Sequence, residues 1–122
     1  MSTDKLQSVL KDRGIALTGN RFVMDLPGNR TQTIFVADQA GELHLSSVVA
    51  SPSVTLREGS MGLLRHNRYM DLVALGMDPR GRWIARTVLP PGPSKQEIAL
   101  HLRVLAEVAD RMEQVLSGQD RY

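Results

Sequence analysis

The sequence predicts an α+β domain, a mainly antiparallel five-stranded sheet crossed by a long C-terminal helix, in the order α-β-β-β-α-β-β-α. Three observations predict it. Short apolar or alternating runs recur between turn sequences, as they do in hairpin-connected strands. The last quarter of the chain carries an apolar stripe at helical spacing. Strands and helices do not alternate as they would in a doubly wound parallel sheet.

Residues 3–13 read as the first helix, because Leu6, Val9 and Leu10 form a stripe and Gly14 stands where a left-handed cap belongs. Strands are expected over 20–26, 31–37 and 42–50. Pro27-Gly28-Asn29 separates the first pair and Asp38-Gln39-Ala40-Gly41 the second, which makes an antiparallel meander. Ser51-Pro52-Ser53 then breaks the pattern. A short helix is expected within 51–67, with Leu56, Met61, Leu63 and Leu64 as its apolar positions, although Gly59 and Gly62 each weaken it by about 1 kcal/mol.

Strand character returns at 68–76 and 82–89. Between these strands, Asp78-Pro79-Arg80-Gly81 has the residue preferences of a type I turn. After the rigid Pro90-Pro91-Gly92-Pro93 connector, Ser94 and Glu97 match a capping box. The helix they open is expected to run to about residue 116, with Ile98, Leu102, Leu105, Ala109, Met112 and Leu116 as its stripe. Val108 and Val115 widen it. Leu100 and Val104 lie off the stripe and offer a second apolar contact.

At 122 residues the chain reads as a single domain, 1–122, able to enclose a core without metal or disulfide staples. It has no cysteine, which excludes thiolate chemistry and fits a reducing compartment. Neither a secretory leader nor an apolar run of the roughly 20 residues needed to cross a bilayer is present, so a cytoplasmic protein away from membranes is expected.

No catalytic constellation stands out. His44, His66 and His101 lack a partner at metal-ligand spacing, so no metal or other cofactor is expected. Glu97 and His101, four apart, can form a surface ion pair. Ser46, Ser47 and Ser60 lack a nucleophile elbow, and Gly59–Gly62 lacks the ending of a phosphate loop. Asp71 reads as an outward-facing strand residue.

The net charge is +2, from 15 basic and 13 acidic residues. Arg57, Arg65, Arg68, Arg80, Arg82 and Arg86 crowd the central stretch, either as a solvated surface or as a seat for an anionic partner. Nucleic acid is not the expected partner, because aromatics are few and no helix-turn-helix or RNP-like pattern occurs.

In the second half, Leu63-Leu64-Arg65-His66-Asn67 runs into a strand and a hairpin follows around Asp78–Gly81. A strand then ends in Arg86-Thr87-Val88-Leu89-Pro90, and the capped helix carries Ala106-Glu107-Val108-Ala109-Asp110. In these elements the chain resembles the YbjN-like group and its structural relatives, the class I type III secretion chaperones.

The resemblance implies a homodimeric α+β domain without enzymatic activity. It also implies that a partly unfolded protein client is held against apolar patches, or added as a strand to a sheet edge. By the same resemblance Met61, Leu63, Leu64 and Tyr69 lie near the dimer contact, and Phe22, Met24 and Phe35 are the client-facing candidates. Such chaperones are typically acidic, whereas this chain has a pI near 9.4. That departure separates the implied fold from the specific effector-chaperone role. The alternative reading is a small anion- or nucleic-acid-binding regulator using Arg65, Arg68, Arg82 and Arg86.

Overall fold

The computed structural model describes residues 2–50 and 72–119. The chain opens with helix α1 (Ser2–Asp12). Its end is closed as Gly14 foretells: φ at Gly14 is 71°. The Ile15 and Gly14 amides donate to the carbonyls of Leu10 and Lys11, at 2.9 and 3.0 Å. These are the two bonds of a Schellman motif, and they turn Ile15 back onto the core.

Three strands follow: β1 (Arg21–Leu26), β2 (Arg30–Gln39) and β3 (Glu42–Ala50). The β2–β3 turn has positive φ at both Ala40 (55°) and Gly41 (86°), the geometry of a type I′ hairpin. Asp38 Oδ1 accepts the Gly41 amide at 3.1 Å and supports it.

After the undescribed residues come β4 (Ala74–Met77) and β5 (Trp83–Leu89). Their turn is the one read from the sequence. The Gly81 amide donates to the Asp78 carbonyl at 2.9 Å. Asp78 Oδ1 also accepts the Arg80 and Arg82 amides at 3.0 and 2.8 Å. The fourth strand starts at Ala74, inside the expected range 68–76, and runs one residue past its end. Leu72 is not in the ladder: its carbonyl accepts the Thr87 hydroxyl at 2.8 Å.

Helix α2 (Lys95–Gln119) completes the chain. Its capping box is formed in both directions. The Glu97 amide donates to Ser94 Oγ at 3.1 Å, and the Ser94 amide donates to Glu97 Oε1 at 3.2 Å.

The strands form one antiparallel sheet in the order β1-β2-β3-β5-β4. This confirms the fold class. The helix expected within 51–67 lies outside the described residues.

Both helices pack on the same face of the sheet. The pleat directs Phe22, Met24, Ile34, Leu43, Leu45, Val49, Ala85 and Leu89 beneath them. Of the expected α2 stripe, Ile98, Leu102, Leu105, Ala109 and Met112 are fully buried against these, and Leu116 lies outside the described side chains. Each large aliphatic side chain so placed contributes on the order of 1.5–3 kcal/mol. Val104 is buried too, so it is core and offers no second surface. The buried side of α2 is therefore wider than its stripe.

A polar seam runs through this interface. Gln32, only 3% exposed, donates to Glu113 Oε2 at 2.7 Å. Its carbonyl oxygen accepts the Ser47 hydroxyl at 2.8 Å. Arg30 meets Asp110 at 2.9 Å beside it. Together these tie β2 and β3 to the far end of α2. No helix among the described residues is long and apolar enough to cross a membrane.

Candidate functional site

The sheet order makes β1 an edge strand, and the register shows which of its backbone groups are open. Residue numbers paired between β1 and β2 run from Arg21↔Phe35 to Leu26↔Arg30. The Val36 amide donates to the Asn20 carbonyl at 2.7 Å. In an antiparallel ladder hydrogen-bonded pairs alternate, so Phe22, Met24 and Leu26 point their amides and carbonyls at β2. Arg21, Val23 and Asp25 point theirs outward.

Arg21 is already satisfied. Thr18 folds over it, donating to its carbonyl at 2.9 Å and accepting its amide at 3.2 Å. Val23 and Asp25 remain, with two donors and two acceptors that no described residue engages. Such an open ladder is a template for another extended chain.

Two clefts border these positions. One, of about 560 Å³, lies between the α1–β1 connection (Gly14, Ile15, Ala16) and Val23 and Asp25. The other, of about 350 Å³, lies between Asp25, Leu26 and Pro27 and the α2 residues Arg103, Ala106 and Glu107. Phe22 and Met24, expected to face a client, are only 2% and 6% exposed. That expectation needs correcting, since alternation along β1 turns both side chains under the helices and leaves Val23, 50% exposed, on the open face. They still form part of the cleft walls, Phe22 of the larger and Met24 of the smaller.

Phe35, the third candidate, is half-buried on the opposite face of the sheet, cross-strand from Arg21. Val23, Val48, Ile84 and Val88 share that face with it, interspersed with Arg21, Ser46, His44 and Arg86, and no described element covers it. The dimer-contact candidates Met61, Leu63, Leu64 and Tyr69 lie outside the described residues.

Of the four arginines of the alternative reading, the two described ones, Arg82 and Arg86, do not share a partner. Arg82 Nε is bound to Asp78 Oδ2 at 2.7 Å. Burial pushes the Asp78 carboxyl upward, but the Arg82 and Arg80 amides and the Arg82 guanidinium outweigh it and hold the carboxyl below its ordinary value. Arg86 stands on the open face, four strand residues away and so about 13 Å along β5. Arg65 and Arg68 lie outside the described residues.

His101 does not pair with Glu97, whose carboxylate turns back to Ser94. Its Nδ1 lies 2.9 Å from Thr87 Oγ1. The Thr87 hydroxyl proton goes to Leu72, so the imidazole is the donor and carries its proton on Nδ1. Burial lowers the pKa of His101, with Glu97 opposing. His44 Nε2, on the open face, is 3.5 Å from Glu42 and has no hydrogen-bond partner. Among the described residues no three acidic or histidine side chains gather as metal ligands.

The edge position of β1 had no signal in its own sequence, because it depends on the strand order. Thr18, which sets the limit of the open edge, was missed for the same reason.

No protein-family model matches the chain, and no curated protein matches it in sequence. Solved structures do match in fold. A chain of the heterodimeric ExoU–SpcU complex from the Pseudomonas aeruginosa type III secretion system has a TM-score of 0.64 at 14% identity, covering 90% of this chain and 96% of that one. A chain of the HopA1–SchA chaperone–effector complex gives 0.63 at 13%, covering 93% of both. A third match is to a chain of the complex between the Yersinia pestis type III secretion chaperone SycH and a stable fragment of YscM2. It gives 0.57 at 14%, covering 94% of this chain and 99% of that one. The chain thus has the fold of the type III secretion chaperones. None of these neighbours carries the YbjN name, so that half of the resemblance gains no support.

Proposed function

We infer that this chain is a non-enzymatic, protein-binding chaperone that captures an extended segment of a client polypeptide along the free edge of β1. The observation that carries the reading is the pair of open ladder positions at Val23 and Asp25, bordered by a cleft on either side. The fold neighbours are structures of chaperone–effector and related complexes, which favours the same role.

An added strand would gain main-chain hydrogen bonds from these positions and seat alternate side chains in the two clefts. Phe22 and Met24 would serve as apolar floor, and Val23 and Phe35 as the surface beyond the edge. The chain acts as a homodimer in this reading, with Met61, Leu63, Leu64 and Tyr69 at the contact. The arginine-based alternative has no observation in its favour, because Arg82 is held by Asp78 and apart from Arg86.

The test is a paired native pull-down from the host with wild-type protein and Val23→Pro. Proline removes the outward amide and leaves the bonds to β2 in place. A stoichiometric polypeptide that survives high salt with wild type and is lost with Val23→Pro supports edge capture. Equal recovery with both proteins contradicts it.

A further inference from the structure

The clefts at the β1 edge have neighbours. Arg13, just past the end of α1, borders both edge clefts and two further clefts of about 260 Å³ each in the crevice between α1 and α2. The four clefts therefore meet at this one side chain.

Their charge changes along the way. At the strand end, cations and acids balance, with Asp25 and Glu107 present and Arg30 held by Asp110 at 2.9 Å. In the crevice Arg13, Lys95 and Arg103 face the single acid Asp12. These three cations are exposed, and none of their side chains has an ion-pair or hydrogen-bond partner among the described residues. Ala99 lines both crevice clefts, and Leu100, 41% exposed, lines the one that Arg13 and Arg103 border. An apolar anchor point flanked by exposed cations suits a segment with the opposite pattern.

We propose that the α1–α2 crevice receives an acidic, amphipathic segment of the same client polypeptide that β1 captures. This rests on the edge-capture reading and gives the client its chemistry. An apolar client side chain sits on Ala99 and Leu100, and client carboxylates meet Arg13, Lys95 and Arg103. Arginine engages a carboxylate through two parallel N–H donors, so the arginines orient the segment as well as attract it. Each exposed pair is weak alone. Tethered to a strand already on β1, the segment meets the crevice at high effective concentration, and the weak contacts add. Nucleic acid supplies the negative charge without the aliphatic anchor, so it does not match Leu100.

The crevice is tested by itself with two labelled synthetic amphipathic peptides of identical leucine pattern, one with glutamate and one with lysine at every polar position. Fluorescence anisotropy should show the glutamate peptide binding tighter by about fivefold or more at low salt, with the gap closing near ~0.5 M salt. Arg13→Glu with Arg103→Glu should reverse the preference, and Leu100→Asp should weaken both peptides. Both changes are on exposed residues, and circular dichroism checks that the fold is kept. Equal affinities, or a preference untouched by the charge reversal, overturn the proposal. So does an oligothymidine that binds as tightly as the glutamate peptide and is lost with the same double variant. Val23→Pro should leave the glutamate peptide's affinity unchanged. If that preference stands while strand capture fails, only the edge reading falls.

Discussion

Thr18 and Arg21 exchange both backbone hydrogen bonds, at 2.9 and 3.2 Å, and so close one rung of the β1 edge before any partner arrives. The closure leaves Val23 and Asp25 as the open pair. An edge this short does not invite indiscriminate sheet growth, and it fixes where an incoming strand must stop.

Loosening the Thr18 cover should lengthen the available edge. Thr18→Pro removes the amide that donates to the Arg21 carbonyl. A client strand should then gain a rung, and its dissociation should slow, as read by surface plasmon resonance. Unchanged or faster dissociation would count against the register argued above.

The polar seam should matter to stability. Gln32→Ala cuts the link to Glu113 and leaves the Ser47 hydroxyl with the Thr33 carbonyl, at 2.9 Å, as its acceptor, so it should lower unfolding free energy by roughly 0.5–1.5 kcal/mol in urea titration. A change below about 0.5 kcal/mol would mean that water replaces the glutamine at little cost.

Acid should weaken the fold through His101. Its folded pKa lies below the ordinary 6.5, because burial penalises the imidazolium more than Glu97 favours it. Between the folded value and about 6.5 the unfolded chain binds more protons, so stability falls as pH drops through that window and levels off below it. His101→Gln should flatten this part of the stability–pH profile measured by denaturant midpoints.

Gly41→Ala should destabilise the β2–β3 hairpin. Residue 41 holds φ at 86°, and an added Cβ would meet the Pro91 side chain at 3.4 Å. A left-handed alanine costs about 1–2 kcal/mol, which differential scanning calorimetry would register as a lower Tm.

Features set by neighbours in sequence were legible before the structure. The Asp78–Gly81 turn, the Ser94–Glu97 box and the Gly14 cap each complete their hydrogen bonds within a few residues. Facing was not legible. Alternation in β1 shows that Phe22 and Met24 share a face, but only packing on α2 shows that this face is the covered one. Val104 and Leu100 look equivalent in the sequence. One is buried and the other 41% exposed, because Val104 stands three residues from His101 on the flank that meets β5, whereas Leu100 borders the open crevice beside Arg13. Gln32 is buried beside a glutamate 81 positions away, a pairing that no local pattern encodes.

Amide hydrogen exchange at Val23 and Asp25, read by NMR with and without the client recovered at high salt, tests edge capture most directly. Both amides point outward without an acceptor among the described residues, so they should exchange fast alone and become protected in the complex. Equally fast exchange in both states, with protection arising elsewhere, would show that the client binds without joining the β1 edge.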